Sequence, residues 1–248
     1  DYHAHIIMVW KEGTGNNINR LKIYGNHTYG DWDPGSHVTG HIFLSTANNE
    51  GYNDTEIYNN LMVVEAGSTP GNGVIQAQGR LNGLLIANNT IIGDTGAGLA
   101  IRLGNAYGGN TNLVIKNNVI ENLEYYINTA TFEGTTDIDY NFYDNPLVPS
   151  GRKFRIGGVD YSSLAAWQAL GHDAHSQEAT LNLTVTYGLN TNSPAKGNGV
   201  DLSAEFPTDR LNYTRTVPWD GGSEGYGLVP SSTFTRSIRT GKQTASGK

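Results

Sequence analysis

Two imidazoles alternate at the start of the chain, in Asp1-x-His3-x-His5, and alternation places His3 and His5 on one face of a strand. His37 and His41 lie in and after the next loop. His5 and His41 each immediately precede an isoleucine expected to point inward, which would let the two rings stack. Such a set could bind a metal ion or supply a general base, but two His at i and i+2 without a third ligand of fixed spacing fit ordinary polar stacking better. Gly30-Asp31-Trp32-Asp33-Pro34-Gly35 puts two carboxylates beside a tryptophan. Asp31 and Asp33 could hold Ca²⁺, although the rest of a calcium loop is missing, and Trp32 could stack on a sugar ring. Tyr52 and Tyr107, expected on corner loops, offer two more stacking faces. His172, Asp173, His175 and Ser176 carry hydrolytic residue types, but four residues packed into one turn cannot converge on one atom, and they read as a structural turn.

These residues must be positioned by a repeat. Ile23-Tyr24-Gly25-Asn26, Ile57-Tyr58-Asn59-Asn60, Ile86-Ala87-Asn88-Asn89, Ile115-Lys116-Asn117-Asn118 and Ile138-Asp139-Tyr140-Asn141 align, with successive last asparagines 34, 29, 29 and 23 residues apart. A period of that size marks one supersecondary unit per repeat. Each unit opens with a short apolar strand (6–10, 42–46, 74–78, 99–103, 127–131), passes a polar corner and enters a second strand that ends at the Ile-x-x-Asn corner. The middle units add a third strand, as at 62–64 and 90–92. Strands this short cannot be helices. Residues 1–145 therefore read as all-β, a right-handed parallel β-helix. Asn26, Asn60, Asn89, Asn118 and Asn141 turn inward at the corners, where asparagine tolerates left-handed backbone and its amide can bond its equivalent in the next coil as a ladder.

Alternation in the first strands assigns Ile6, Met8, Ile42, Leu44, Val74, Gln76, Leu99, Ile101, Ile127 and Thr129 to the interior. The outward set is then Ile7, Val9, Phe43, Ser45, Ile75, Ala77, Ala100, Arg102 and Asn128. That strip is apolar enough to expect a cover: the C-terminal part, another subunit or preceding chain. Its only cations are Lys11 and Arg102, and it has no carboxylate. The second-strand outer face, with Arg20, Lys22, Glu56, Lys116, Asp137 and Asp139, reads as a solvated charged surface.

Composition agrees with a chain of short strands and tight corners: 248 residues, 32 Gly, 27 Asn and only 16 % charged residues. No cysteine is present, which excludes disulfides, thiolate metal sites and a cysteine nucleophile. No apolar run approaches ~18 residues, so no membrane-spanning helix is expected. The net charge of −7 divides into −9 for residues 1–145 and +2 for 146–248. An acidic body argues against nucleic acid as a partner. Residues 233–248 form a basic tail with Arg236, Arg239, Lys242 and Lys248 and no acid. It could pair with an acidic surface or stay solvated.

After Asn145 the repeat stops, and residues 146–232 read as a C-terminal cap with flanking strands. Residues 162–171 form a short helix with a serine N-cap and a glycine stop, presenting Leu164, Trp167 and Leu170 on one face. Such an element shields the open end of a β-helix. Two or three strands are expected to follow, such as one at 181–187, with residues 188–232 as irregular chain along the body.

Gly-His-Asp-Ala-His-Ser at 171–176, Asn-Ser-Pro-Ala-Lys-Gly-Asn-Gly-Val-Asp at 192–201 and Pro-Trp-Asp-Gly-Gly at 218–222 resemble the end of many bacterial secreted right-handed β-helix proteins. These include pectate-lyase-like polysaccharide enzymes and anchor-bearing surface proteins. Gly221-Gly222 departs from the usual Ile-Gly-Ala after Trp-Asp. The resemblance spans most of residues 1–222 and implies an extracellular or cell-surface protein acting on polysaccharide, with its site on the outer face of one sheet. A lyase needs a base and a cation to neutralise a uronate carboxylate, and His3, His5, His41, Arg80 and Arg102 are the candidates. Glycoside hydrolysis would need two carboxyls ~5–9 Å apart. Two competing expectations stand beside this one. One is a non-catalytic structural or adhesive protein that self-assembles, even into a filament, through its first coil, apolar strip and basic tail. The other is a carbohydrate-binding spike using Trp32, Tyr52 and Tyr107.

Overall fold

The computed structural model describes residues 5–11, 17–30, 40–46, 51–64, 72–96, 98–104, 110–148 and 151–227. His3, Asp31, Trp32, Asp33, His37, Tyr107 and the basic tail 233–248 lie outside the described residues. The described chain is all-β and largely parallel, with one short helix.

Each repeat contributes strands to three sheets in turn. The first sheet runs Ile7–Lys11, Ile42–Thr46, Ile75–Ala77, Leu99–Leu103, Tyr125–Thr129, Phe154–Ile156 and Val159–Tyr161, all parallel except the last, antiparallel pair. The second contains Ile18–Asn19 and Lys22–Tyr24 beside Gly51–Tyr58, then Arg80–Ala87, Leu113–Lys116 and Thr136–Asp139. The third runs from His27–Gly30 through Leu61–Val64, Thr90–Ile92, Val119–Glu121 and Phe142–Asp144 to Gln177–Glu178. Sequence-adjacent strands thus fall in different sheets, and each strand pairs with its counterpart one repeat away. This is consistent with a β-helix.

Register decides which side chains fill the interior. Ile7, Ile42, Ile75, Ile101, Ile127 and Phe154 align across the first sheet, and so do Val9, Leu44, Ala77, Leu103, Thr129 and Ile156. In the first and third repeats this is one residue away from the alternation expected above. Ile7, Val9, Ile75 and Ala77 face the core, while Met8 and Gln76 face outward. A one-residue slip moves every side chain to the other face, and the apolar doublets Ile6-Ile7 and Val74-Ile75 give no parity signal. Val74 is buried all the same. The outward column is therefore Met8, Phe43, Gln76, Arg102, Asn128, Arg155, apolar only in its first two positions.

At the corner between the second and third sheets, the asparagines bond one another. Asn26 Nδ2 donates to Asn60 Oδ1 at 2.9 Å; Asn60, Asn89 and Asn118 each donate to the next Oδ1 at 3.0 Å, reaching Asn141. The backbone N–H of each donor asparagine reaches the same Oδ1. Asn60, Asn89, Asn118 and Asn141 are fully buried, whereas Asn26, expected inside, is only partly so. The residue before each carries the left-handed backbone: Gly25, Asn59, Asn88, Asn117 and Tyr140 have φ of 70°, 53°, 50°, 56° and 57°.

The helix spans Leu164–Gln168 with Ser163 as its N-cap. Trp167 is buried and stacks on Phe154 of the last long repeat at 4.9 Å. Leu170 lies past the helix and is exposed, so it leaves the face expected for it. Residues 181–187 form no strand; Leu183 makes a lone bridge with Leu189, and left-handed backbone at Asn182 and Tyr187 interrupts extended pairing.

Candidate functional site

The outer face of the first sheet carries a cavity of about 350 Å³ at the fourth and fifth repeats. Arg102 and Asn128 line it from adjacent in-register positions, with Gln78 and the turn at Gly158 at its borders. Parallel pairing stacks such equivalents about 4.8 Å apart. The Arg102 guanidinium donates through Nη1 to Asn72 Oδ1, which orients it. It makes no ion pair among the described residues, and four of its N–H donors remain for other acceptors. Further along the same column, Arg155 reaches Asp160 at 3.5 Å. On the other side Gln76 is 2 % exposed, and its Oε1 has no hydrogen-bond partner among the described residues.

The remaining sequence-named candidates are scattered. Arg80 opens a strand of the second sheet and is exposed. His5 stacks face to face on Phe43, ring centres 4.2 Å apart, rather than on His41. His41 is fully buried, and its Nδ1 lies 2.6 Å from Thr28 Oγ1. Desolvation holds its pKa down at about 4. A ring so enclosed cannot reach a polymer, which removes His41 as a base acting directly on substrate. Tyr52 is not on a corner loop. It is 1 % exposed, and its hydroxyl donates to the carbonyls of Val9 and Ser45 at 2.7 and 2.9 Å. Its ring belongs to the core and offers no sugar platform.

The turn at 171–176 is structural. Asp173 is fully buried; Oδ1 accepts from Asn141 Nδ2 at 3.0 Å and from Ser176 Oγ, and Oδ2 accepts from Tyr143 and Trp167 Nε1 at 3.0 and 2.8 Å. Burial pushes its carboxyl pKa up against the pull of these donors. His175 sits outside, stacked on Tyr140 and 2.6 Å from Asp139.

Sequence reading missed a second asparagine column. Asn59, Asn88 and Asn117 point outward and hold the C-terminal segment. Asn59 donates to Thr208 O at 2.7 Å, Asn88 to Asp220 O at 3.0 Å, and Asn117 exchanges two bonds with the Val200 backbone. Arg215, largely buried, donates to Asn59 Oδ1 and Gly222 O at 2.9 Å each and lies over Trp219. Desolvation lowers its pKa to about 10. The signal was present in the Asn-Asn doublets themselves.

Among the described residues no group of three or more His, Cys, Asp or Glu could hold a metal ion, and no helix is long and apolar enough to cross a membrane. Comparison with family models, with curated proteins and with solved structures finds no match.

Proposed function

We propose that the protein is a right-handed parallel β-helix of the secreted, pectate-lyase-like kind, with its inward asparagines as a ladder and residues 146–232 as its cap, and that it binds an extended uronate-bearing polysaccharide along the outer face of the first sheet. One observation carries this reading: Arg102, a cation with no ionic partner among the described residues, lies over a cavity lined by the amides of Asn128 and Gln78. A guanidinium matches a carboxylate in two-pronged geometry, and amides match sugar hydroxyls. Charges more than about 8 Å from the cavity are screened at physiological salt, so the protein's net charge as a whole opposes an anionic polymer only weakly. No carboxylate or imidazole lines the cavity among the described residues, so the proposal is binding rather than cleavage. The test is glycan binding to polyuronate and to a neutral polymer of similar length. Wild type binds polyuronate preferentially, and Arg102→Gln weakens that binding about tenfold, the equivalent of one charge-assisted contact. Unchanged binding in that variant overturns the reading, and release of ultraviolet-absorbing unsaturated sugars would make the protein a lyase instead.

A second reading has its own observation. Among the described residues, one outermost strand of each sheet lies in the first repeat, where Met8 and Trp10 are each 50 % exposed and Tyr24 and Tyr29 each 56 %. Strand edges beside exposed apolar side chains favour pairing with another chain, a second copy included. Light scattering across a concentration series tests it; a strict monomer at high concentration sinks it.

A further inference from the structure

We infer that a second cavity, on the outer face of the second sheet, receives a lysine or arginine side chain from a basic peptide segment of a partner protein. The cavity, again about 350 Å³, lies between that sheet and the C-terminal segment, with Asp54, Glu56, Leu85, Val114, Leu202 and Glu205 among its lining. Its floor follows from register. Lys22, Glu56, Leu85, Val114 and Asp137 align across five strands, so charged residues stand at the ends of the column and apolar ones in the middle. Leu202, from the C-terminal segment, and Val114 both pack against the buried cluster that contains Leu85.

A bend in the sheet shapes one wall. Arg20, Asp54, Gly83 and Asn112 occupy equivalent positions in successive repeats and have φ of 57°, 52°, 75° and 52°. A Cβ on Gly83 would come within 2.8 Å of Asp54 Oδ1, so the missing side chain is what leaves room for that carboxylate at the edge of the floor.

Charge identifies the occupant. Glu56 is neutralised by Lys22 at 2.8 Å and Asp137 by Lys116 at 2.6 Å. Asp54 and Glu205 make no ion pair among the described residues. Glu205 lies near Lys22 without pairing with it, and the lining as a whole sets the carboxylates of Asp54, Glu56, Asp137 and Glu205 against Lys116, which leaves the cavity net acidic over an apolar floor. An alkyl stem ending in a cation satisfies both features, the stem on Leu85, Val114 and Leu202 and the head between the acids. An anion would meet repulsion. A neutral sugar would find no aromatic ring among the lining residues to stack on. This face is separate from the Arg102 cavity, and the inference does not depend on the polysaccharide reading.

Fluorescence anisotropy with a short labelled peptide rich in Lys and Arg, against the same peptide with Gln at those positions, tests it on the full chain. The basic peptide binds and the Gln peptide does not. Asp54→Asn and Glu205→Gln each weaken binding about tenfold, as expected for one charge-assisted contact. Asparagine tolerates the left-handed backbone at position 54, and unchanged thermal melting verifies that both variants fold. Glu133→Gln removes an exposed charge that does not line the cavity and leaves binding within about twofold. Equal binding of the two peptides, no binding of either, or an equal loss in Glu133→Gln overturns the inference.

Discussion

Asn141 donates from Nδ2 to Oδ1 of Asp173 at 3.0 Å, and with this bond the succession of amides that starts at the partly buried Asn26 ends on a carboxylate. Every asparagine before it donates forward and needs an acceptor ahead. A carboxylate is the natural terminus because it accepts on both oxygens and has no proton of its own to place. Tyr143, Trp167 and Ser176 supply its other donors, so one acid joins the repeats to the helix and the turn behind it.

Asp173→Asn therefore sets an amide N–H₂ against donors that already point at it. The variant should lose about 2–4 kcal/mol of stability, the range for a buried charged hydrogen-bond network with one member mismatched. Denaturant unfolding measures this. A loss below about 0.5 kcal/mol, the level of an ordinary surface change, would mean that Asp173 does not terminate the amide succession.

The two residues of an Asn-Asn doublet should behave differently. Asn89 is buried and bonds Asn118, Asn60 and Ile57 O, so Asn89→Ala should lower global stability by about 2–3 kcal/mol through unsatisfied partners on both sides. Asn88 has φ 50° and bonds outward to Asp220 O and Gly222 O. Asn88→Gly keeps that backbone conformation accessible but releases the C-terminal segment. Limited proteolysis between residues 195 and 226 should accelerate in Asn88→Gly while the midpoint of global unfolding shifts little. The reverse pattern would exchange the two roles.

Much of this architecture is legible in the sequence because corner geometry demands particular residues. Asparagine recurs at Asn26, Asn60, Asn89, Asn118 and Asn141 where an inward amide meets its neighbour, and the period follows from it. Facing is less legible. Val74 and Ile75 are both apolar and both buried, so only pairing with Ile42 decides which of them occupies the strand's inward column. Tyr52 looks like a corner residue until the eight-residue strand Gly51–Tyr58 is seen to begin before it. The Arg102 cavity is half legible: the cation stands out on its face, but Asn72, which orients it, lies thirty residues earlier in another repeat.

Acid should expose the buried imidazole. In the folded chain His41 has a pKa of about 4, while the unfolded chain takes up its proton near 6.5. Between these values the unfolded state binds more protons. Stability is therefore complete above pH about 6.5, falls as pH drops toward 4 and loses no more from this group below that, a total of about 3 kcal/mol. Urea midpoints at pH 7 and pH 4.5, compared between wild type and His41→Gln, isolate this contribution from other titrating groups. The acid-induced loss should be smaller in the variant; equal losses would place the pH sensitivity elsewhere.

Gln76 offers the sharpest separation of folding from function. It stands in register between Phe43 and Arg102 on the outward face of the first sheet, nearly inaccessible, with no partner for Oε1 among the described residues. A buried acceptor without a donor costs about 1–3 kcal/mol relative to an apolar group of similar shape. Methionine matches glutamine in length and leaves nothing unsatisfied. Gln76→Met should therefore raise the urea midpoint, by the equivalent of about 1 kcal/mol. Gln76 is nearly as enclosed as His41 and does not line the Arg102 cavity, so the same substitution should leave polyuronate binding within about twofold. Higher stability with unchanged binding makes it a packing defect beside the site. Higher stability with weaker binding would instead tie this residue to the ligand, and unchanged stability means that Oε1 finds a solvent partner when the chain is free.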